Sequence, residues 1–455
     1  MNRLAIHIND AEITALDSDR VVYREPGFAL LDDSAVLVGK EAYAEAKLRP
    51  RRIQNRQWFE LTTDILPGVG NGMSSAAALV SYQLEQLWKP LAANVDEVVL
   101  AVPAYMDTGP LGLLLGIAED LRIPVVGMVD AAVAATRREY REAVPVHVDI
   151  ALHAVIISRI AQPGHVQLER SEILEGHGLL AMQDTWLHTV AAAFVKQSRF
   201  DPLHTAESEQ TLLNALPGWL EDALHRPRVE MSIEAAGSTY VASIEALELV
   251  SAVAPAYQAI ANKLATVVRA EETAALQLAA RVGKLPGLAE FLQARVGGEV
   301  FMLEPGAAAR GALSRVRGTG NHGAVTLLRQ LPWDQAATEV SPGAETRSGH
   351  GVPSHVLIGH EAHVLGDRAL VIGSQSAEGE RSILLSSGMA GVSRRHCLLQ
   401  LRNGQCVVED FSRYGTFLNG HRIDGSAVLS CGDLLRVGSP GHELLLIQVV
   451  ADHGA

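Results

Sequence analysis

The feature that most narrows the fold lies near the C-terminal end. Residues 398–401 and 406–409 are short apolar runs joined by Asn403-Gly404. An Asn-Gly pair between such runs marks a tight hairpin, because both turn residues need positive φ. The device recurs at Asn419-Gly420, and Cys431-Gly432-Asp433 supplies another turn. Residues 434–437 and 444–450 continue the series. Several short strands at this spacing predict a β-sandwich. Two polar blocks interrupt the apolar runs: Gly391-Val392-Ser393-Arg394-Arg395-His396, and residues 410–420, which begin Asp410-Phe411-Ser412-Arg413-Tyr414-Gly415-Thr416.

The rest of the chain has a different period. Residues 4–8 and 12–16 read as strands around an Asn9-Asp10 turn, and strands follow at 21–23, 29–31 and 35–38. A helix over 73–87 leads to a buried strand at 95–102, a helix at 111–121, a strand at 123–129 and a small-residue helix at 131–136. A second hairpin covers 146–150 and 154–160, followed by a helix over 178–200. A polar helix pair, strands at 229–233 and 238–241, and a long helix over 244–268 complete the pattern. Alternation of apolar strands with helices marks an α/β domain. Residues 318–353 are Gly-, Ser- and Pro-rich without periodicity and read as a linker. The expected organisation is therefore 1–317, a linker at 318–353, and a sandwich at 354–452.

A chain of 455 residues holds two to four domains. Its net charge of −14 argues against broad binding to nucleic acid or to an acidic membrane, which needs a basic face. No run reaches the roughly 18 apolar residues of a membrane helix, and residues 1–10 lack the apolar core of a signal peptide. The three cysteines (Cys397, Cys406, Cys431) read as small core residues in a reducing compartment, so the expected location is cytoplasmic. His360-Glu361-Ala362-His363 reads as alternating strand residues, with no metal expected.

Ile372-Gly373, Ser393 to His396, Tyr414-Gly415-Thr416 and Gly432-Asp433 match, in order and spacing, the signature of a forkhead-associated domain, which this region resembles. Such domains recognise phosphothreonine, so the resemblance implies a protein partner carrying that group. In the family an Arg after the first Gly contacts phosphate; here Ser374 stands in that place. The resemblance gives Ser393 a phosphate-binding role. His396 braces the loop, and Gly373, Gly415 and Thr416 support it. Tyr414 replaces the Asn that grips the peptide backbone. Arg394, Arg395 and Arg413 lie on the ligand-facing loops and supply charge that Ser374 lacks. Two readings stay open: a non-standard phosphopeptide site, or a phosphate-independent interaction module.

Four further pieces lie in order over residues 3–317: Leu37-Val38-Gly39-Lys40-Glu41-Ala42, Val99 to Tyr105, Gly127 to Thr136, and Glu304 to Ala312. They resemble the actin, sugar-kinase and heat-shock-chaperone superfamily, and within it the DnaK-type ATPase domain. That resemblance implies an α/β fold of two ribonuclease-H-like halves. In the family two Gly-rich hairpins let backbone N–H groups approach the nucleotide phosphates. Here they read His7-Ile8-Asn9-Asp10-Ala11 and Asp149-Ile150-Ala151-Leu152-His153-Ala154. The connecting Glu falls on Ala131, and the adenosine motif is reduced to Arg281-Val282-Gly283-Lys284. The expectation is the fold without ATP hydrolysis and without a cofactor. Asp10 and Asp149 are read as solvated turn acids, and His7 and His153 as satisfied core or cleft histidines rather than a pair facing each other across the old cleft.

Pro67 to Ala77 also resembles the phosphate loop of the galactokinase and homoserine-kinase superfamily. The plainer reading is a loop followed by a helix N-cap at Ser74 or Ser75. The chain as a whole thus reads as a non-catalytic adaptor. The alternative is a chaperone-like or actin-like nucleotide switch regulated through its forkhead-associated domain.

Overall fold

The computed structural model describes residues 2–18, 20–32, 36–66, 75–235, 237–269, 271–317, 325–340, 352–358, 361–377, 379–385, 391–418, 421–431, 433–438 and 442–447. The chain divides into two compact units, Met1–Gly343 and Ala344–Ala455.

The first unit is built on two sheets with the same internal order. In the first, Arg20–Glu25, Ile13–Asp17 and Arg3–His7 are antiparallel neighbours, and Glu97–Val102 and Val125–Asp130 continue parallel to Arg3–His7. In the second, Val166–Glu175, Ala154–Ala161 and Val144–Ile150 are antiparallel, and Ala274–Leu278 and Glu299–Met302 continue in parallel. The central strands are buried along nearly their whole length, as parallel strands covered on both faces must be. Helices Ala76–Trp88 and Thr108–Asp120 bury Leu84, Leu87, Leu111 and Leu114 against the first sheet. Helices Leu179–Ser198, Ala206–Ala223 and Ala254–Val267 cover the second around Trp186, Phe194, Leu216 and Tyr257.

Helices Ala131–Ala135 and Ala307–Arg315 share a third core with inner faces of both sheets. Their backbones touch at Gly311, where a Cβ atom would overlap the Ala134 carbonyl. Arg315 is buried and donates to the carbonyls of Val133, Ala134 and Thr136, so the crossing is also pinned by a guanidinium.

Three expectations are corrected here. The expected linker is partly structured. Leu327–Leu328 pairs parallel with Val125–Asp130, and Gln330–Leu331 pairs antiparallel with Val166–Glu175. One short stretch thus closes an edge of each sheet, and Thr338–Glu339 adds a bridge to Tyr140–Arg141. The helix expected over 244–268 is instead strand Ser238–Glu245, then helices Ala246–Ala252 and Ala254–Val267. They break at Val253, just before Pro255, which lacks the N–H a continuous helix would use. The expected polar pair after residue 200 is one helix, Ala206–Ala223, carrying Pro217 within it. Helix Ala76–Trp88 starts on Ser75, whose Oγ accepts the Ala78 N–H at 3.2 Å. The Gly-rich loop before it, residues 67–74, lies outside the described residues, as do the linker segments 318–324 and 341–351.

The second unit is a β-sandwich. One sheet runs Glu361–Val364, His355–Ile358, His442–Ile447, Leu434–Val437, Thr416–Leu418, His421–Arg422. The other runs Arg381–Leu384, Leu370–Gly373, Cys397–Arg402, Gln405–Asp410, Ser426–Leu429. Val356, Ile372, Leu399, Val408, Leu435 and Leu444 fill the space between them. Asn403 and Gly404 have φ of 52° and 77°, the values the Asn-Gly turn demands. Cys397 and Cys406 are buried free thiols. Asn419, Gly420, His360 and Gly432 lie outside the described residues. Among the described residues no helix is long and apolar enough to cross a membrane.

The helix crossing predicts opposite signs for two glycines. Gly311→Ala forces backbone against backbone and is expected to destabilise by about 1–3 kcal/mol. Gly116→Ala, in an exposed helix position with open space around it, is expected to stabilise by about 0.5–1 kcal/mol. Urea unfolding of both variants checks the pair.

Candidate functional site

In the second unit three loops meet at one end of the sandwich. They follow Leu370–Gly373, precede Cys397–Arg402, and join Gln405–Asp410 to Thr416–Leu418. Their backbones are bonded to each other: Ser374 N–H donates to the Ser393 carbonyl at 3.1 Å, and Gln375 N–H to the Arg394 carbonyl at 3.1 Å. Gly373 makes this approach possible, since a Cβ there would overlap the Arg394 carbonyl. The Ser393 hydroxyl accepts the Arg413 N–H at 3.2 Å, tying the second loop to the third.

His396 holds this arrangement from beneath. It is fully buried; its Nδ1 accepts the Ser393 N–H at 3.0 Å, and its Nε2 lies 3.1 Å from the Gly415 carbonyl. Both contacts are satisfied only by the neutral ring with the proton on Nε2, which donates to Gly415. Burial lowers the His396 pKa from its ordinary value, and the opposing pull of the Gly415 carbonyl and Asp410 does not restore it.

The third loop has its own internal frame. Asp410 accepts the Ser412 N–H at 3.0 Å and the Thr416 hydroxyl at 2.8 Å, and the Ser412 Oγ accepts the Gly415 N–H at 2.7 Å. Burial alone raises the Asp410 pKa, but its hydrogen bonds to Ser412 and Thr416 outweigh that and hold the carboxyl below its ordinary value. Thr416 is buried, and Gly415, at φ 93°, packs against the Arg422 side chain. What faces solvent is basic and aromatic. Arg394, Arg395 and Arg413 are exposed. The Arg395 guanidinium lies 5.6 Å above the Phe411 ring, and that of Arg413 lies 5.9 Å from the Tyr414 ring.

The structure therefore brings Ser374, Ser393, Arg394, Arg395, Arg413 and Tyr414 onto one loop surface, with Gly373, His396, Gly415 and Thr416 beneath or beside it. Sequence reasoning missed Asp410 and Ser412 as braces. The Asp-x-Ser spacing of an Asx turn was the available signal. A family model, the FHA domain, matches residues 370–438, which span these three loops, one sheet entirely and three strands of the other. No curated protein matches the chain. The C-terminal unit thus carries an FHA domain, and FHA domains bind phosphothreonine-containing protein partners.

In the first unit the two hairpin tips lie against each other. Asn9 Nδ2 donates to Asp149 Oδ2 at 3.0 Å and to the Ile150 carbonyl at 3.2 Å. Asp10 Oδ1 accepts the Leu152 N–H at 2.7 Å. Arg281 Nε sits 3.2 Å from Asp149 Oδ1. Asp10 and Asp149 are buried rather than solvated, which corrects the expectation. Burial pushes the Asp10 carboxyl up to about 7, the Leu152 and Ala11 N–H groups and Arg281 opposing it. Burial also acts to raise Asp149, but Arg281, then His7 and His147, outweigh it and leave the group below its ordinary pKa.

His7 and His153 do not face each other. His7 lines a polar cavity of about 100 Å³ with His147, Asp149, Arg281 and Lys284. Burial, then Arg281, lowers its pKa to about 3. His153 lines a separate cavity of about 490 Å³; its Nε2 lies 2.9 Å from the Asn55 carbonyl and its Nδ1 3.3 Å from Arg56. His147 was not read as a cleft residue from sequence, and Arg281 was read only as part of a reduced adenosine motif, not as the partner of Asp149. His147 shares a strand face with Asp149 two residues on, which was a usable signal. The residues at the tips do not suit a nucleotide's phosphates. Side chains stand where close backbone approach is required, and one inward N–H is already taken by Asp10. Among the described residues no cluster of acids, histidines and cysteines is arranged to hold a metal ion.

The depressed His396 pKa gives a pH prediction. The unfolded chain binds a proton below about 6.5, while the folded loop resists it. His396 therefore contributes stability that is complete above about 6.5 and falls away as pH drops through that value. His396→Gln is expected to cost about 1–3 kcal/mol near pH 8, with a smaller gap from wild type at pH 5. Urea unfolding at the two pH values checks it.

Proposed function

We propose that this chain is a non-catalytic, cytoplasmic adaptor whose FHA loop surface recruits a threonine-phosphorylated protein. Ser393, Arg394 and Arg413 hold the phosphate in this reading, with Arg395 and Tyr414 beside it. The observation that carries it is the exposed set of arginines on three loops fixed by His396, with the Ser393 hydroxyl at their junction. A phosphate dianion needs guanidinium charge and N–H or O–H donors converging on one point. Ser374 brings no charge, so Arg394 and Arg413 carry that requirement.

The first unit serves as a scaffold in this reading. The repeated strand order of its two sheets, with two helices crossing between them, supports an actin-like architecture of two ribonuclease-H-like halves. The direct bonds from Asn9 and Asp10 to the facing hairpin support a degenerate nucleotide cleft without ATP turnover.

Two measurements test these readings. In calorimetry with matched peptides, the phosphothreonine form is expected to bind at least tenfold more tightly than the unphosphorylated form. Ser393→Ala is expected to weaken the phosphorylated complex by about 1.5–3 kcal/mol. Equal affinity for both forms would leave a phosphate-independent module. In the second, millimolar Mg-ATP is expected to leave the melting temperature unchanged. A ligand that binds only the folded state must raise it by mass action, so a concentration-dependent rise restores the nucleotide-switch alternative.

A further inference from the structure

We propose that the first unit binds a small uncharged amphiphile, an apolar body carrying one hydroxyl or N–H donor, in the pocket beside His153. The pocket has a volume of about 490 Å³, within the range of small-molecule sites. One wall comes from Phe28, Tyr43 and Ile53, in and around the small sheet of Ala29–Leu31, Val36–Val38 and Ile53–Gln54. The other comes from Leu180 and Leu187 on helix Leu179–Ser198 and from Leu213 on helix Ala206–Ala223. The walls are clamped in place. Gln210 is buried; it accepts the Lys47 N–H at 2.7 Å and donates to the Tyr43 carbonyl at 3.1 Å. That side chain ties the segment from Tyr43 to Lys47 onto helix Ala206–Ala223, so the pocket is part of the packed frame.

The polar groups on these walls decide the head group. Lys47 Nζ is 2.7 Å from Glu209. His153 accepts from Arg56 and donates to the Asn55 carbonyl, and burial lowers its pKa, so the ring is neutral. An ionic head would leave water without meeting an unpaired counter-charge on Lys47 or His153, which costs more than it returns. One wall group is left over. Gln183 Oε1 is buried without a hydrogen-bond partner. Burial pushes the Tyr43 hydroxyl up to about 12, with the Gln183 side chain opposing, so this end of the pocket is polar and uncharged. A buried amide oxygen with no donor is costly, and a ligand that brings an O–H or N–H to it removes that cost. The rest of such a ligand covers Phe28, Ile53 and Leu187, which supply the apolar contact.

The test uses the full chain in ligand-observed NMR titrations at neutral pH. The probes are octanol, its isomer heptyl methyl ether, which has no donor, and the charged octanoate and octylammonium. Octanol is expected to bind saturably, about three- to tenfold more tightly than the ether, and more tightly than either charged probe. Gln183→Leu is expected to remove the preference for the alcohol by weakening octanol alone. Ala181→Phe, which places a ring in the pocket from an exposed position on its rim, is expected to abolish binding of octanol and ether alike. Unchanged melting temperatures are the control for folding, and Gln183→Met takes the place of Gln183→Leu if that variant melts early. Failure of octanol to bind saturably, or binding that survives Ala181→Phe, overturns the site. Equal binding of octanol and ether, an alcohol preference that survives loss of the Gln183 amide, or tighter binding of a charged probe overturns the uncharged donor as its ligand.

Discussion

One buried imidazole sets the geometry of the loop surface. A ring that accepts from one loop and donates to another fixes both at once, because its two nitrogens point in opposite directions from one rigid plane. His396 does this between Ser393 N–H and the Gly415 carbonyl. The other inter-loop bonds follow from that placement: the Ser374 and Gln375 N–H groups reach backbone carbonyls, and the Arg413 N–H reaches the Ser393 hydroxyl. The dependence also runs through sterics. Gly373 must lack a Cβ for the Arg394 carbonyl to come close, and Gly415 must hold a φ of 93° to present its carbonyl to the ring. The guanidinium groups of the solvent-facing arginines make none of these bonds, although the Arg394 carbonyl and the Arg413 N–H do. Their identities are therefore free to be set by what binds.

The first unit shows the opposite economy: polar groups there are spent on each other. A hairpin that cradles an anion leaves its N–H groups unpaired and pointing outward, which requires glycine at the tips. Here Asp10 takes the Leu152 N–H and Asn9 spans to Asp149 and Ile150, so the facing tips are bonded directly to one another, while His7 Nε2, Asp10 Oδ2, His147 Nδ1 and Arg281 Nη1 are buried without a hydrogen-bond partner. Arg281 supplies the positive charge that a buried Asp149 needs to stay ionised. Direct side-chain bonds of this kind join the two hairpins without a ligand between them.

Much of this was legible in the sequence, and the failures have physical causes. The Asn403-Gly404 turn and the strands around it follow from local φ preference, so period and turn chemistry sufficed. The central strands of the first unit were visible as apolar runs. The strap at residues 327–331 was not, because its two-residue strands add only edge hydrogen bonds, and backbone pairing leaves no mark on composition. The break before Pro255 was visible and was overridden by the amphipathic pattern on both sides of it. In the site, the forkhead-associated resemblance located Ser393, His396 and the arginines. It did not show that Asp10 and Asp149 are buried, since burial of a turn acid depends on what the opposite hairpin brings to it, and the two hairpins lie some 140 positions apart in the chain.

The charge distribution then acts on partner choice at two ranges. The chain carries a net −14, so an acidic segment is repelled by the protein as a whole at low ionic strength. The exposed arginines on the FHA loops act only over distances comparable to the screening length, about 8 Å at physiological salt. A singly charged peptide gains little from them. In the proposed reading a phosphothreonine dianion brought within that distance gains from several at once. General repulsion with local attraction favours segments whose negative charge is concentrated at one place over segments that are merely acidic. Such a surface is matched to a phosphorylated site more closely than its Ser374 alone would suggest.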